Sequence, residues 1–211
     1  MRGRLDGFAA SESRRERGAS VHVKNEENGD AMLLNSEQSL LLVVDVQERL
    51  MPAIPDAGQV AANVAILLKA AGHLDVPVLA TEHYPRGLGP TVAPIRALLP
   101  AGSVVEKNSF AATGEPSFME RLERAGRRQI LLAGAETHVC VMQTALSLRA
   151  LGYDVALAAD ASSSRAASNV ALGHARLRAN GVEVVSTEMA VFEWLGRGDA
   201  PAFKAVLDLI K

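Results

Sequence analysis

Ser39 to Val46 reads SLLLVVDV. A strand with one face in water alternates apolar and polar residues. A run this rich in Leu and Val, with no alternation, belongs to a strand buried on both faces, the signature of a parallel sheet covered by helices on either side. The pattern recurs as VPVLAT from Val76, QILLAG from Gln129, YDVALAAD from Tyr153 and VEVVST from Val182, and a short strand near Ser103–Glu106 makes six. Helical segments separate them. From about Ala57 to Ala71, Val60, Val64, Leu67, Leu68 and Ala71 share one face, and Gly72 is read as the stop. Further helices end near Gly126, at Gly152 (with Val141, Ala145 and Leu148 on one face) and at Asn180-Gly181, and two short ones follow near Glu188–Leu195 and Ala200–Ile210. Strands that alternate with helices are joined by right-handed crossovers. The expectation is one α/β domain, a three-layer α/β/α sandwich around a six-stranded parallel sheet, over residues 37–211.

The first 36 residues read differently. SESRRERG and NEENGD carry charge, Ser, Gly and Asn without periodicity, the composition of a disordered tail. Arg14, Arg15 and Arg17 are interrupted by Glu12 and Glu16, so the cluster reads as a solvated tail and not as a nucleic-acid patch. Met32 opens MLLNSEQSLLLVVDVQ, a plausible natural start, which makes residues 1–31 an upstream extension of the reading frame. The formal charge of −2 gives no global attraction to nucleic acid or anionic membrane. No apolar run reaches the roughly 20 residues of a spanning helix, and the N-terminal residues lack the apolar core of a secretory signal. A cytoplasmic location is the default expectation, with neither a membrane nor a nucleic-acid partner.

Ligands of open parallel sheets bind beyond the carboxyl ends of the strands, where strand order reverses. Asp45 ends the first strand, Lys107 follows the third and Cys140 follows the fourth. If the first and fourth strands are neighbours, the three side chains converge in one crevice. Each has an ordinary reading: a turn cap for Asp45, a surface charge for Lys107 in EKNSF, a small buried hydrophobe for Cys140. Together they form a set for nucleophilic catalysis, a thiol with a carboxylate base and a cation. Cys140, the single cysteine, excludes an internal disulfide. Its place where a strand hands over to a helix predicts a lowered thiol pKa.

Five segments, LLLVVDVQERLMPAI, TEHYPRGLGPT, VVEKNSF, GAETHVCVMQTA and ADASSSR, resemble the isochorismatase-like cysteine hydrolase superfamily, in particular its isochorismatase domain-containing subgroup. The resemblance runs from about Leu40 to Leu195 and implies the sheet order 3-2-1-4-5-6. It puts a catalytic triad on Asp45, Lys107 and Cys140, and an oxyanion hole on the backbone N–H groups of Glu136 and Cys140. The activity implied is hydrolysis of a small amide-type substrate through a thioester, by a homo-oligomer without cofactor. Nicotinamidases of the superfamily hold a metal with a T-x-D-x-H pattern. Here Thr81-Glu82-His83-Tyr84-Pro85 leaves only His83 and Pro85 at those positions, so no metal is expected. True isochorismatases lack the cysteine, which argues against vinyl-ether cleavage.

The remaining residues read structurally. His138 is a local hydrogen-bonder, Ser162, Ser163 and Ser164 are helix caps, and Phe192, Trp194 and Leu195 are core or subunit contact. Tyr84 and Phe110 are read as pocket-lining, and no role falls to the Glu136 side chain. Two rivals stand beside the hydrolase: a catalytically silent binding or scaffold subunit with the same fold, and a flavodoxin- or Rossmann-type nucleotide binder. The second needs a glycine-rich loop after the first strand, where Val46-Gln47-Glu48 stands instead.

Overall fold

The computed structural model describes residues 32–211. The proposed extension over residues 1–31 lies outside the described residues. Residues 32–36, which composition assigns to the tail, are tied to the domain. Leu34 is buried in the core, its N–H donates to Glu193 Oε2 at 2.9 Å, and the N–H of Asn35 donates to Gln129 Oε1 at 2.7 Å.

Six parallel strands form one sheet: β1 (Ser39–Val44), β2 (Val78–His83), β3 (Val104–Lys107), β4 (Gln129–Ala135), β5 (Asp154–Ser163) and β6 (Glu183–Val185), in the order β3-β2-β1-β4-β5-β6. Every residue of β1 and β4 is buried, as continuous apolar runs at the centre of a covered sheet require. The helices are α1 (Ala57–His73), α2 (Pro85–Leu88), α3 (Ala93–Arg96), α4 (Pro116–Ala125), α5 (Met142–Ala150), α6 (Ala167–Arg178), α7 (Thr187–Leu195) and α8 (Phe203–Leu207). Val60, Val64 and Leu67 of α1 pack with Ile95, Val191, Trp194 and Val206 in the core on one face. Phe118, Leu122, Ala145, Leu148 and Leu177, from α4, α5 and α6, fill the other. The sheet order reverses between β1 and β4, so the crevice at their carboxyl ends is the switch point of the fold.

Several local expectations change. Gly72 does not stop α1, which continues to His73 and closes where the Leu74 N–H reaches Ala70 O and Ala71 O. The segment after β4 is not the start of an α-helix: Thr137–Val141 form one π-helical turn, and α5 begins only at Met142. Ser162, Ser163 and Ser164 cap no helix. Ser162 and Ser163 are the last residues of β5, and α6 starts at Ala167 with no side-chain cap.

Candidate active site

β1 ends at Val44 and the chain turns sharply at Asp45, whose φ is 53°. Left-handed backbone costs a non-glycine residue on the order of 1–2 kcal/mol. The conformation is held by two backbone bonds, Asp45 N–H to Thr81 O at 3.1 Å and Gln47 N–H to Asp45 O at 2.9 Å. Thr81 lies on β2 in register with Val44, and its hydroxyl donates to Asp45 Oδ1 at 2.7 Å. Lys107, the last residue of β3, places Nζ 2.8 Å from Asp45 Oδ2. The same ammonium donates to Ser109 O and Phe110 O, both at 3.2 Å. Asp45 and Lys107 are 0% and 2% exposed, so the surface-charge reading of EKNSF does not hold. Removing one partner of such a buried pair costs about 3–5 kcal/mol, because the other charge is left uncompensated.

Cys140 comes to this pair from the β4 side. Gly134, with φ 136°, lies against β1: a Cβ there would sit 2.0 Å from Val44 O. Only glycine lets β4 approach β1 this closely, and that approach carries the following turn to the end of β1. The thiol is 5% exposed and feels both charged neighbours. Its pKa is pushed up to about 12, first by burial and then by the Asp45 carboxylate, with Lys107 opposing. The lowered pKa expected from the sequence is therefore corrected. The pair beside the sulfur brings a carboxylate along with its cation, and the π-turn replaces the α-helix N-terminus that was to supply a dipole.

In that turn Glu136 has φ 60° and ψ 62°. Its carbonyl accepts from Val139 N–H at 2.9 Å and Val141 N–H at 3.4 Å, passing over Cys140 between them. The Glu136 side chain, given no role by the sequence, makes a bidentate pair with Arg165, Nε to Oε1 and Nη2 to Oε2, both at 3.1 Å. His138 is a local hydrogen-bonder as expected, with Nδ1 3.0 Å from Ser164 Oγ and Nε2 3.2 Å from Asn169 Nδ2.

His83 ends β2, Tyr84 follows it and Phe110 lies beyond the end of β3, at the same rim of the sheet. Tyr84 and Phe110 are 54% and 51% exposed, and the His83 and Phe110 rings lie 5.3 Å apart. Burial, aided by Lys107, lowers the His83 pKa, so the ring is neutral at physiological pH. Gln47 fastens this rim, donating to His83 O at 3.0 Å and Gly89 O at 2.7 Å and accepting from His83 N–H at 2.8 Å. Among the described residues no group of three His, Cys, Asp or Glu side chains lies close enough to hold a metal ion. Sequence reasoning missed Thr81, Gln47 and Arg165. All three stand inside the motifs that carry the resemblance, but the motifs do not say what their side chains touch.

A family model described as Isochorismatase domain matches residues 39–189. Isochorismatase domain-containing protein 2 of Rattus norvegicus is 36% identical over 176 residues, 83% of this chain and 82% of that protein. Isochorismatase domain-containing protein 1 of Danio rerio is 33% identical over 205 residues, 97% of this chain and 71% of that protein. Among solved structures, the MAR1 ribonuclease of Caenorhabditis elegans superposes with a TM-score of 0.80 at 30% identity, covering 85% of this chain and 92% of that one. The YcaC gene product of Escherichia coli, described as an octameric hydrolase of unknown specificity, gives 0.81 at 23% identity over 87% and 91% of the two chains, a likeness of fold. No helix among the described residues is long and apolar enough to cross a membrane. The sheet order, the motifs at the strand ends and a match spanning most of the chain make this protein a member of the isochorismatase family.

Proposed function

We propose that the protein hydrolyses a small amide-type substrate through a thioester on Cys140. The observation that carries the reading is a fully buried Asp45–Lys107 pair, 2.8 Å apart, against the only thiol. Two apolar residues of similar volume would serve stability as well or better. With its pKa near 12 the sulfur rests as a neutral thiol, which suits a general-base mechanism and not a preformed thiolate. Asp45 takes the thiol proton while Sγ bonds to the carbonyl carbon and the π electrons move to oxygen. The developing oxyanion is met by the backbone N–H groups of Glu136 and Cys140. Collapse breaks the C–N bond, and the leaving nitrogen departs with the proton from Asp45. Water then gives a proton to Asp45 and its oxygen to the thioester carbonyl. The C–S bond breaks, sulfur takes the proton back and the acid product leaves. Lys107 holds the carboxylate in place throughout. Tyr84 and Phe110 form the outer wall against which the rest of the substrate packs.

The C. elegans neighbour's name makes RNA a substrate to include in any panel, although a chain of formal charge −2 offers no general pull on phosphodiesters. Self-association and a cytoplasmic site of action complete the reading. The test is ammonia release from a panel of primary amides and N-carbamoyl compounds, with RNA cleavage in parallel and Cys140→Ala as blank. Release by the wild type alone supports the hydrolase. Equal rates with the alanine variant, or RNA cleavage that survives it, overturn the thioester route.

A further inference from the structure

The end of β5, the residues after it and the first turn of α6 grip the nucleophile turn at four points. Ser162 Oγ lies 2.8 Å from Thr137 Oγ1, and Ser164 Oγ and Asn169 Nδ2 hold the two ring nitrogens of His138. The fourth point differs in kind. Arg165 forks onto both oxygens of Glu136, and its own backbone N–H reaches Oε1 at 3.3 Å. The Glu136 side chain is 8% exposed, whereas that of Arg165 is 61% exposed, so the charge that needs compensation is the carboxylate. Glu136 is also the residue with left-handed backbone, and its carbonyl gathers the N–H groups on either side of Cys140. A planar fork fixes direction as well as distance, which an ammonium does not.

We propose that the Arg165 fork makes Glu136 a positioning residue, holding its strained backbone so that the nucleophile turn presents its N–H groups to the reacting carbonyl oxygen. The proposal rests on the hydrolase reading for its catalytic consequence but not for its structural one. Arg165 touches neither Cys140 nor Asp45 in this arrangement, so its loss leaves the thiol and its base in place. Being largely exposed, its removal also opens no void in the core.

Arg165→Ala, Arg165→Lys and Glu136→Gln, each made in the full chain, test it. In Arg165→Ala, hydrogen exchange of the Val139 and Val141 amides should quicken by about tenfold or more, with the β1 and β4 amides unchanged. On the best amide of the panel, kcat should fall about 10- to 100-fold with KM within about twofold, the mark of a misplaced oxyanion contact. Cys140 alkylation should stay within about twofold of wild type, and millimolar guanidinium ion should restore part of kcat. Arg165→Lys should recover less than half of the loss. Glu136→Gln, which keeps the shape and drops the charge, should show the same pattern. Unchanged exchange at Val139 and Val141 overturns the proposal, as does an unchanged kcat or an equal fall in kcat and alkylation. If the wild type hydrolyses no amide, the hydrolase reading falls and the exchange measurement alone decides whether the clamp holds the turn.

Discussion

Asp45→Asn separates the two ways in which a cysteine hydrolase can prepare its nucleophile. In the wild type the thiol titrates at about 12, against an ordinary value of 9.0, with burial the largest cause and the Asp45 carboxylate the next. That difference is worth about 4 kcal/mol against ionisation, and at neutral pH leaves the thiolate on the order of one molecule in 10⁵. The variant removes the carboxylate and leaves the ammonium of Lys107, whose influence on the sulfur has the opposite sign. Lys107 keeps its bonds to Ser109 O and Phe110 O, so the cation stays seated. A unit charge about 4 Å away contributes roughly 4 kcal/mol at an effective dielectric of 20. The thiol pKa should therefore drop, and iodoacetamide labelling at pH 7.5, followed by mass spectrometry, should run at least about tenfold faster than in wild type. Ammonia release should fall about 10³-fold, since no base remains to take the proton. Lys107→Met should move labelling the other way. Wild-type labelling should climb with pH without a plateau below about pH 10. A wild-type plateau with its midpoint below about pH 8, or an Asp45→Asn variant that labels more slowly, would refute the general-base argument.

Gly134→Ala should be the most damaging added methyl among the described glycines. Its Cβ would meet the backbone of Val44 at 2.0 Å, which only a shift of β4 from β1 can relieve, so a urea-melt loss of about 3 kcal/mol or more, or insolubility, is expected. Glu115 gathers the N–H groups of Asn108 and Ser109 and the Ser109 hydroxyl, bonds that hold its carboxyl at about 2 against an ordinary 4.5. Because folding lowers this pKa, its contribution is full above 4.5 and fades as pH falls towards 2. Between pH 5 and 3 the wild type should therefore lose more of its urea midpoint than Glu115→Gln. Equal losses would show that the loop is held by something else.

The sheet was legible because its central strands, β1 and β4, are buried on both faces and carry continuous apolar runs, the pattern of a sheet covered on both sides. Once β1 and β4 are neighbours, the convergence of Asp45, Lys107 and Cys140 follows from their places at strand ends. What could not be read was anything set by a side chain meeting a distant one. The carboxyl of Asp45 is aimed by Thr81 from the next strand. Lys107 looks like a surface charge in EKNSF because its partner lies 62 positions earlier. The serines before α6 have the composition of caps, yet two of them bond to the π-helical turn that carries Cys140, since β5 runs longer than its apolar stretch suggests. The sign of the thiol shift was missed for the same reason: local chain direction names a helix dipole, whereas burial and a carboxylate from another strand decide the balance.

The distribution of unfavourable local features is itself an argument about function. Four non-glycine residues among those described have positive φ, and three of them, Asp45, Tyr84 and Glu136, directly follow β1, β2 and β4. Each costs about 1–3 kcal/mol where it stands. The same sheet end carries the buried ion pair and, at Gly134, a strand position where the neighbouring backbone leaves no room for a Cβ. The opposite requirement governs the interior, where β1 and β4, after Ser39 and Gln129 at their first positions, are apolar and fully packed. Stability alone gives no reason to gather strain and charge at one end of an otherwise apolar sheet, because uncharged residues in ordinary turns would close the same crossovers. An arrangement that keeps a carboxylate, an ammonium and a thiol in register has that reason. The left-handed steps let the chain turn sharply after three strands at this end of the sheet, and the interior supplies the rigidity that keeps those steps from relaxing.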